Sequence, residues 1–148
     1  MEGLQVLVWT VFDAEGEILA DLLADLPGVA ALTGETPEAA RADTLEAFRT
    51  GAVRVLISKA QLVGYGLNFQ FCRSMIFSGW DDSFERMYQA VRRCYRYGQT
   101  EPVRVHIPYV RQLEGMMLDN VKAKQARYDQ ETALMERCYR DAMEGLAA

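Results

Sequence analysis

Short apolar segments alternate with amphipathic segments over the first two thirds of the chain. Gln5–Phe12 is almost entirely apolar or β-branched, which is typical of a strand buried on both faces. Glu15–Leu26 then carries apolar residues at helical spacing and ends at Pro27-Gly28. This alternation predicts an α/β fold in three layers, with a parallel sheet of five or six strands and helices on both faces.

The same alternation predicts the remaining elements. Further strands are predicted at Val29–Leu32, Val53–Ile57, Ser74–Phe77 and Val103–Ile107. One helix is predicted to follow Thr36, which is expected to be its N-cap with Pro37 in the first helical position, and another to follow Ser83. Residues 1–110 are expected to form the α/β domain, and residues 111–148 a helical extension packed on it or projecting from it.

Charge and cysteine content exclude several classes of protein. The net charge is −5, and residues 1–50 carry ten acidic and two basic side chains, so a general polyanion-binding protein is not expected. Three cysteines without Cys-x-x-Cys spacing and the lone His106 predict no bound metal. No apolar run predicts a membrane segment or a signal peptide, and the cytoplasm, or association with the nucleoid, is expected.

The loops at the carboxyl ends of the strands are the expected place for chemistry, as in other parallel sheets. After the second strand, Thr33-Gly34 offers a hydroxyl and accessible amides for a backbone phosphate, although an ordinary turn has the same composition. The long loop after the third strand, residues 58–70, contains Gly66, which permits unusual backbone paths, and Asn68, whose amide suits a ribose or a carboxylate. After the fourth strand, Asp81 and Asp82 suit a helix N-terminus better than a metal.

Residues 89–99 place three arginines opposite an apolar stripe. At ~100° of rotation per residue, Gln89, Arg93 and Arg96 share one side of a helix, with Arg92 beside them. The buried arc is predicted to comprise Met87, Ala90, Val91 and Cys94. The pattern predicts one helix, stopped by Gly98, that holds its guanidinium groups outward where they match a phosphate. A merely solvated charged face is the alternative.

The order of these segments resembles a known family. The matching parts are Arg41…Phe48…Gly51, Val55-Leu56-Ile57-Ser58, Gly64-Tyr65-Gly66-Leu67-Asn68-Phe69 and Gln89-x-x-x-Arg93-x-x-Arg96-x-Gly98-Gln99. They are similar to the second RecA-like lobe of superfamily 2 helicases and DNA translocases. Within that group the chain is most similar to the sucrose-nonfermenting-type branch with its phage and bacterial relatives. The third and fourth parts resemble the family's motifs V and VI.

The resemblance implies a role for each matching residue. Arg93 and Arg96 match the arginines that reach ATP bound by the other lobe, and Gln89 leads the same motif. Gly66 and Asn68 match positions near the nucleotide. The positions that match contacts with a DNA or RNA backbone are Thr33, Gly34, Ser58 and Lys59.

The resemblance also implies parts that this sequence lacks. The sequence contains no Gly-x-x-x-x-Gly-Lys-Ser/Thr phosphate loop and no Asp-Glu pair. We therefore expect ATP and Mg²⁺ to be held mainly by an N-terminal RecA-like lobe of the same parent protein. The isolated lobe is expected to hold neither and to be inactive alone. Departures from the family pattern occur at Arg92, at Tyr95 and across 78–82.

Other functions remain open from the sequence. A RecA-like module that binds nucleic acid or protein without catalysis would also lack a phosphate loop. A phospho-receiver domain requires acidic residues after the first strand, and Asp13 lies there. It also requires a lysine after the fifth strand, and Pro108-Tyr109 lies there instead. A cysteine phosphatase would need an arginine at fixed spacing after its cysteine, and Cys72 has none.

Overall fold

The computed structural model describes residues 4–62, 68–79, 81 and 83–146. Its strands are β1 (Val6–Thr10), β2 (Val29–Leu32), β3 (Val55–Lys59), β4 (Ser74–Phe77) and β5 (Arg104–His106). Its helices are α1 (Asp13–Leu22), α2 (Glu38–Thr50), α3 (Phe84–Val91) and α4 (Arg111–Leu146). The chain divides into two compact units, Met1–Asp81 with Glu85–Pro108, and Asp82–Phe84 with Tyr109–Ala148.

The first unit contains a parallel sheet with the strand order β2-β3-β1-β4-β5. Every neighbouring pair in this sheet runs parallel. The α/β fold predicted from the alternating segments is confirmed. The bounds predicted for β2 and β4 agree with the structure, and those of the other strands differ by a few residues at their ends.

Helices cover both faces of the sheet. The register places Leu7, Leu56 and Met75 side by side on one face, where they join Phe48 of α2 in the hydrophobic core. On the other face α1 packs closely, because a Cβ atom on Gly16 would lie 3.7 Å from Ile57 Cγ2. Burial of large apolar side chains on the first face is the main source of stability, since truncation of a buried Phe typically costs about 3–5 kcal/mol.

Three phenylalanine rings attach the segment after β3 to the core. The ring of Phe48 meets those of Phe69 and Phe71 edge to face, with centroids 5.8 and 5.5 Å away. Phe69 and Phe71 also meet each other at 5.9 Å. The three contacts fix residues 69–71 against the core.

The start of α2 differs from the prediction by one residue. Pro37, rather than Thr36, occupies the N-cap position and offers no side-chain capping bond. The Thr36 hydroxyl is bonded to the amide of Thr33 instead, at 2.9 Å. This local turn competes with helix capping for the same side-chain oxygen, a competition common for threonine.

The second unit is built on α4, a single helix of 36 residues. Tyr128 of α4 contacts the ring of Phe84, with centroids 5.8 Å apart. Most side chains from Lys122 to Glu144 are exposed, including Met135 and Tyr139. Among the residues described, no helix combines the length and the apolar character needed to cross a bilayer.

Candidate functional site

Two groups of residues in the first unit carry the cationic side chains of interest, one after α3 and one at the carboxyl ends of β2 and β3. We call residues Arg92–Gln99, which follow α3, the arginine segment. We call Asp13, Thr33, Gly34 and Lys59 the lysine cluster. They differ in how their cationic side chains are held, and each contains residues singled out from the sequence.

The apolar arc predicted before the arginine segment is confirmed. Ala90 and Cys94 are buried, and Met87 and Val91 pack against the core. The prediction of one continuous helix through residue 96 is wrong, because α3 ends at Val91. Beyond it the chain continues in turns, and the amide of Cys94 bonds to Val91 O at 3.1 Å.

A tertiary hydrogen bond holds the chain just beyond the end of the helix. The amide of Phe69 donates to the carbonyl of Arg93 at 2.9 Å, so this carbonyl is engaged by another segment instead of by the next helical turn. The chain then turns at Arg96, whose carbonyl accepts the amide of Gln99 at 3.0 Å. Gly98 has φ +93° within this turn, a conformation that glycine adopts at little cost.

Two glutamines tie the arginine segment to the residues after β3, and we call Gln70 and Gln99 the glutamine clamp. Gln99 Nε2 donates to Gln70 O at 2.7 Å. In return, Gln70 Nε2 donates to the carbonyl of Tyr97. The clamp holds the backbone just after Arg96, at Tyr97 and Gln99, through neutral groups only.

Asn68 orients the glutamine clamp. Its Oδ1 accepts the amide of Gln70 at 3.0 Å, and its Nδ2 donates to Gln70 Oε1 at 3.0 Å. The residue matched to a nucleotide position thus contacts the clamp in this structure. Gly66, the other such residue, lies outside the described residues.

Two buried cysteines join the arginine segment to the core. Cys72 and Cys94 are completely buried, and Cys72 Sγ also contacts Ser74 O at 3.2 Å. The hydrogen bond to Cys72 and burial raise the pKa of the Cys94 thiol. Cys94 therefore stays protonated and serves in packing, because a nucleophilic cysteine needs an accessible thiolate.

The guanidinium groups of the arginine segment have different surroundings. Arg93 is half-buried and directs Nη2 toward Ala60 O at 3.5 Å, beside the loop after β3. Arg96 is exposed, as is Gln89 on α3. Arg92, also exposed, lies over the ring of Tyr95 at 5.9 Å. The structure thus places the two motif arginines three residues apart on one fixed turn, with Arg96 open to a ligand.

The lysine cluster joins three residues that the resemblance matched to nucleic-acid contacts. Lys59 Nζ lies 2.5 Å from Asp13 Oδ2, and the amide of Gly34 donates to Asp13 Oδ1 at 3.4 Å. Thr33 is adjacent and bonded to Thr36. The hydrogen bond from Lys59 lowers the pKa of the Asp13 carboxyl, so this acid stays ionised at neutral pH.

Ser58, the fourth residue of that set, is not at the surface. It is 1% exposed, and its hydroxyl donates to the carbonyl of Lys59 at 3.3 Å. Successive residues of a strand point to opposite faces, so Ser58 lies on the core side while Lys59 lies on the side of α1. The described surface therefore includes Lys59 but not the Ser58 hydroxyl.

The donors of the arginine segment suit an anion. Guanidinium and amide N–H groups predominate there, and it carries no carboxylate. Within the described ranges, no three His, Cys, Asp or Glu side chains converge as a metal site would require. The arrangement can bind and stabilise phosphate oxygens, whereas a hard cation would need oxygen ligands that this segment does not supply.

Comparison with known proteins agrees with this fold. The family model for the helicase conserved C-terminal domain matches residues 1–98. Among solved structures, the crystal structure of the C-terminal part of the Fun30 ATPase domain superposes with a TM-score of 0.70 at 21% identity. The superposition covers 80% of this chain and 39% of that structure, so the chain spans well under half of its length. No curated protein sequence matches this chain significantly. The chain belongs to the helicase conserved C-terminal domain family.

Proposed function

We propose that this chain is the C-terminal motor lobe of an ATP-dependent nucleic-acid helicase or translocase, of the sucrose-nonfermenting-type branch. It would complete an ATPase site whose other half, with the phosphate loop, belongs to an N-terminal RecA-like lobe. The observation that carries the proposal is the arginine segment: Arg96 is exposed on a backbone fixed by the glutamine clamp. The family match supports a helicase lobe in general.

Arg93 and Arg96 are the proposed catalytic residues. Guanidinium groups brought to a phosphoryl group by a neighbouring domain stabilise the charge of the transition state, with effects of about 10³–10⁵ in rate. The backbone that carries them is held by neutral hydrogen bonds, so its position does not depend on charges that a phosphate would disturb. Gln89 is exposed near the end of α3, four and seven residues before them, and would contact the same nucleotide.

ATP would lie between the two lobes, with Mg²⁺ held by the N-terminal one. The arginine segment supplies donors that fit the phosphate chain and lacks carboxylates that would fit the metal ion. Gly66 and Asn68 are proposed to lie near the nucleotide, where Asn68 would act through its bonds to Gln70. Closure of the lobes on ATP and reopening after hydrolysis would move the protein along a strand.

The lysine cluster is the proposed contact with the nucleic-acid backbone. The amide of Gly34, the hydroxyl of Thr33 and the ammonium of Lys59 are grouped within one site, and all three types of donor bind phosphate oxygens. Ser58 would contribute by helping to position Lys59, since its side chain is buried and its hydroxyl donates to the carbonyl of Lys59.

Reconstitution of the two lobes tests the proposal. ATP hydrolysis is measured in three proteins. They are this lobe alone, the phosphate-loop lobe of the same gene as a separate polypeptide, and the two lobes joined in one protein. We expect turnover, stimulated by nucleic acid, only in the joined two-lobe protein. A joined protein that hydrolyses ATP no faster than the phosphate-loop lobe alone would contradict the proposal.

A further inference from the structure

We propose that Asp13 is an internal competitor for the phosphate that the lysine cluster binds. Its carboxylate would have to leave Lys59 and Gly34 before a nucleic-acid phosphate can take its place. The inference rests on the proposed nucleic-acid contact of this cluster, and it assigns to that contact a regulating residue that the sequence motifs do not contain.

Asp13 engages the donors that a phosphate would need. One carboxylate oxygen accepts from Lys59 Nζ at 2.5 Å, and the other lies 3.4 Å from the Gly34 amide. A phosphate oxygen pair would approach the same ammonium and the same amide, because both are hydrogen-bond donors at the ends of adjacent strands. Asp13 thus occupies the position of an anionic ligand.

Exposure and charge make displacement feasible. The side chains of Lys59 and Asp13 are 20% and 43% exposed, so the pair lies at the surface and its attraction is screened by solvent. The bond from Gly34 is at the long end of the hydrogen-bond range. A phosphate that reaches Lys59 meets the negative charge of Asp13, which opposes its binding until the carboxylate moves aside.

Neutralising Asp13 should therefore strengthen nucleic-acid binding. The experiment measures binding of a fluorescein-labelled duplex DNA to the full chain by anisotropy, over a series of KCl concentrations. Asp13→Asn keeps the shape of the side chain and removes its charge. We expect affinity to rise about twofold to fivefold, the range of one exposed ion pair. The slope of log K against log salt should steepen by about 0.9, the value for one more neutralised phosphate.

Matched variants separate competition from a general charge effect. Glu46→Gln breaks another 2.5 Å ion pair, with Arg49, between exposed side chains of α2, and changes the net charge equally. We expect it to have a smaller effect than Asp13→Asn, and Lys59→Ala to abolish the gain caused by Asp13→Asn. Equal effects of Asp13→Asn and Glu46→Gln, weaker binding by Asp13→Asn, or a gain that persists without Lys59 would each overturn the inference. Asp13→Ser replaces Asp13→Asn if the latter does not fold.

Inorganic phosphate distinguishes failure of this inference from failure of the proposed function. The Gly34 amide is followed by NMR during a phosphate titration of the wild type and Asp13→Asn. We expect saturation at about twofold to fivefold lower phosphate in the variant. Saturation at the same phosphate concentration in both proteins would overturn the proposed competition by Asp13. If the variant saturates at lower phosphate but neither the wild type nor any variant binds DNA, competition by Asp13 is supported and the proposed nucleic-acid contact is contradicted.

Discussion

The arginine segment and the lysine cluster belong to the same unit but hold their cations in opposite ways. Arg96 lies on a backbone fixed by neutral amides and carbonyls, and its guanidinium is exposed. Lys59 is paired with a carboxylate at 2.5 Å. The first arrangement leaves a positive charge ready for a ligand, whereas the second compensates the charge within the chain. Position at a strand end is therefore not enough to make a cation available.

The difference matters because the two groups have different proposed tasks. A catalytic guanidinium must be oriented before the transition state forms, so a rigid neutral support is favourable. A contact with a moving nucleic acid must form and break repeatedly, so a competing carboxylate that weakens it is compatible with its task. Substitutions in either group test whether the two groups really differ in this way. Their expected effects differ widely in size.

Loss of either motif arginine should have the largest effect. In the joined two-lobe protein, Arg93→Ala and Arg96→Ala are each expected to lower kcat about 10³-fold or more, since they remove charge stabilisation from the transferring phosphoryl group. Steady-state ATP hydrolysis measures the effect. Arg92→Ala is the control, because Arg92 is exposed beside them and lies over Tyr95. Wild-type turnover in both variants would remove their assigned role.

Substitution of Gly98 tests the rigidity of the support. Gly98→Ala should reduce the free energy of unfolding by about 1–2 kcal/mol, the cost of a left-handed conformation for alanine. Gly51→Ala is the matched control, because Gly51 also has a positive φ, +86°. An added Cβ atom on Gly51 would meet nothing within 4 Å, whereas one on Gly98 would lie 3.4 Å from Gln70 Nε2. We expect similar losses by urea denaturation but slower hydrolysis only for Gly98→Ala. Equal hydrolysis in the two variants would break the link between this turn and catalysis.

Loss of the glutamine clamp should lower the stability of the protein moderately. Gln99→Ala removes the bond to Gln70 O and is expected to lower the free energy of unfolding by about 0.5–1.5 kcal/mol. Gln125→Ala is the control, because the Gln125 side chain bonds to Asp129 on the exposed surface of α4. Chemical denaturation measures both. Equal stability of Gln99→Ala and wild type would show that the clamp does not hold the arginine segment.

The smallest effect is expected from the pH dependence of the Lys59–Asp13 pair. The pKa of Asp13 is lower in the folded protein, so the pair stabilises the fold above the unfolded pKa and this contribution is lost as pH falls through the folded value. The wild type should melt at a higher temperature than Asp13→Asn at neutral pH, and the gap should close on acidification. If the difference in melting temperature caused by Asp13→Asn persists when Lys59→Ala is also present, the Lys59–Asp13 pair is not its source.

Local periodicity made much of the fold predictable. The buried arc of Met87, Ala90, Val91 and Cys94 was predictable because helical spacing marks the side that packs. The strands at β2 and β4 were likewise predictable from apolar runs bounded by turn residues.

Long-range contacts made the remainder unpredictable. Residues 92–95 carry no glycine or proline to stop a helix, yet α3 ends at Val91, and the distant amide of Phe69 bonds to the Arg93 carbonyl just beyond it. The ion pair of Asp13 and Lys59 joins residues 46 positions apart, and nothing local to either predicts it. Gln70 had no signal either, because a loop glutamine is ordinarily solvated and its role depends on meeting Tyr97.

The central claim is that Arg93 and Arg96 contact phosphate in the transition state of a reaction completed by another lobe. The most direct test is the affinity of the joined two-lobe protein for ADP with aluminium fluoride, compared with its affinity for ATP, in the wild type and in Arg93→Ala and Arg96→Ala. We predict that each substitution weakens binding of the transition-state analogue by a factor similar to its loss of kcat, with ATP affinity little changed. Unchanged affinity for the analogue in both variants would contradict the account.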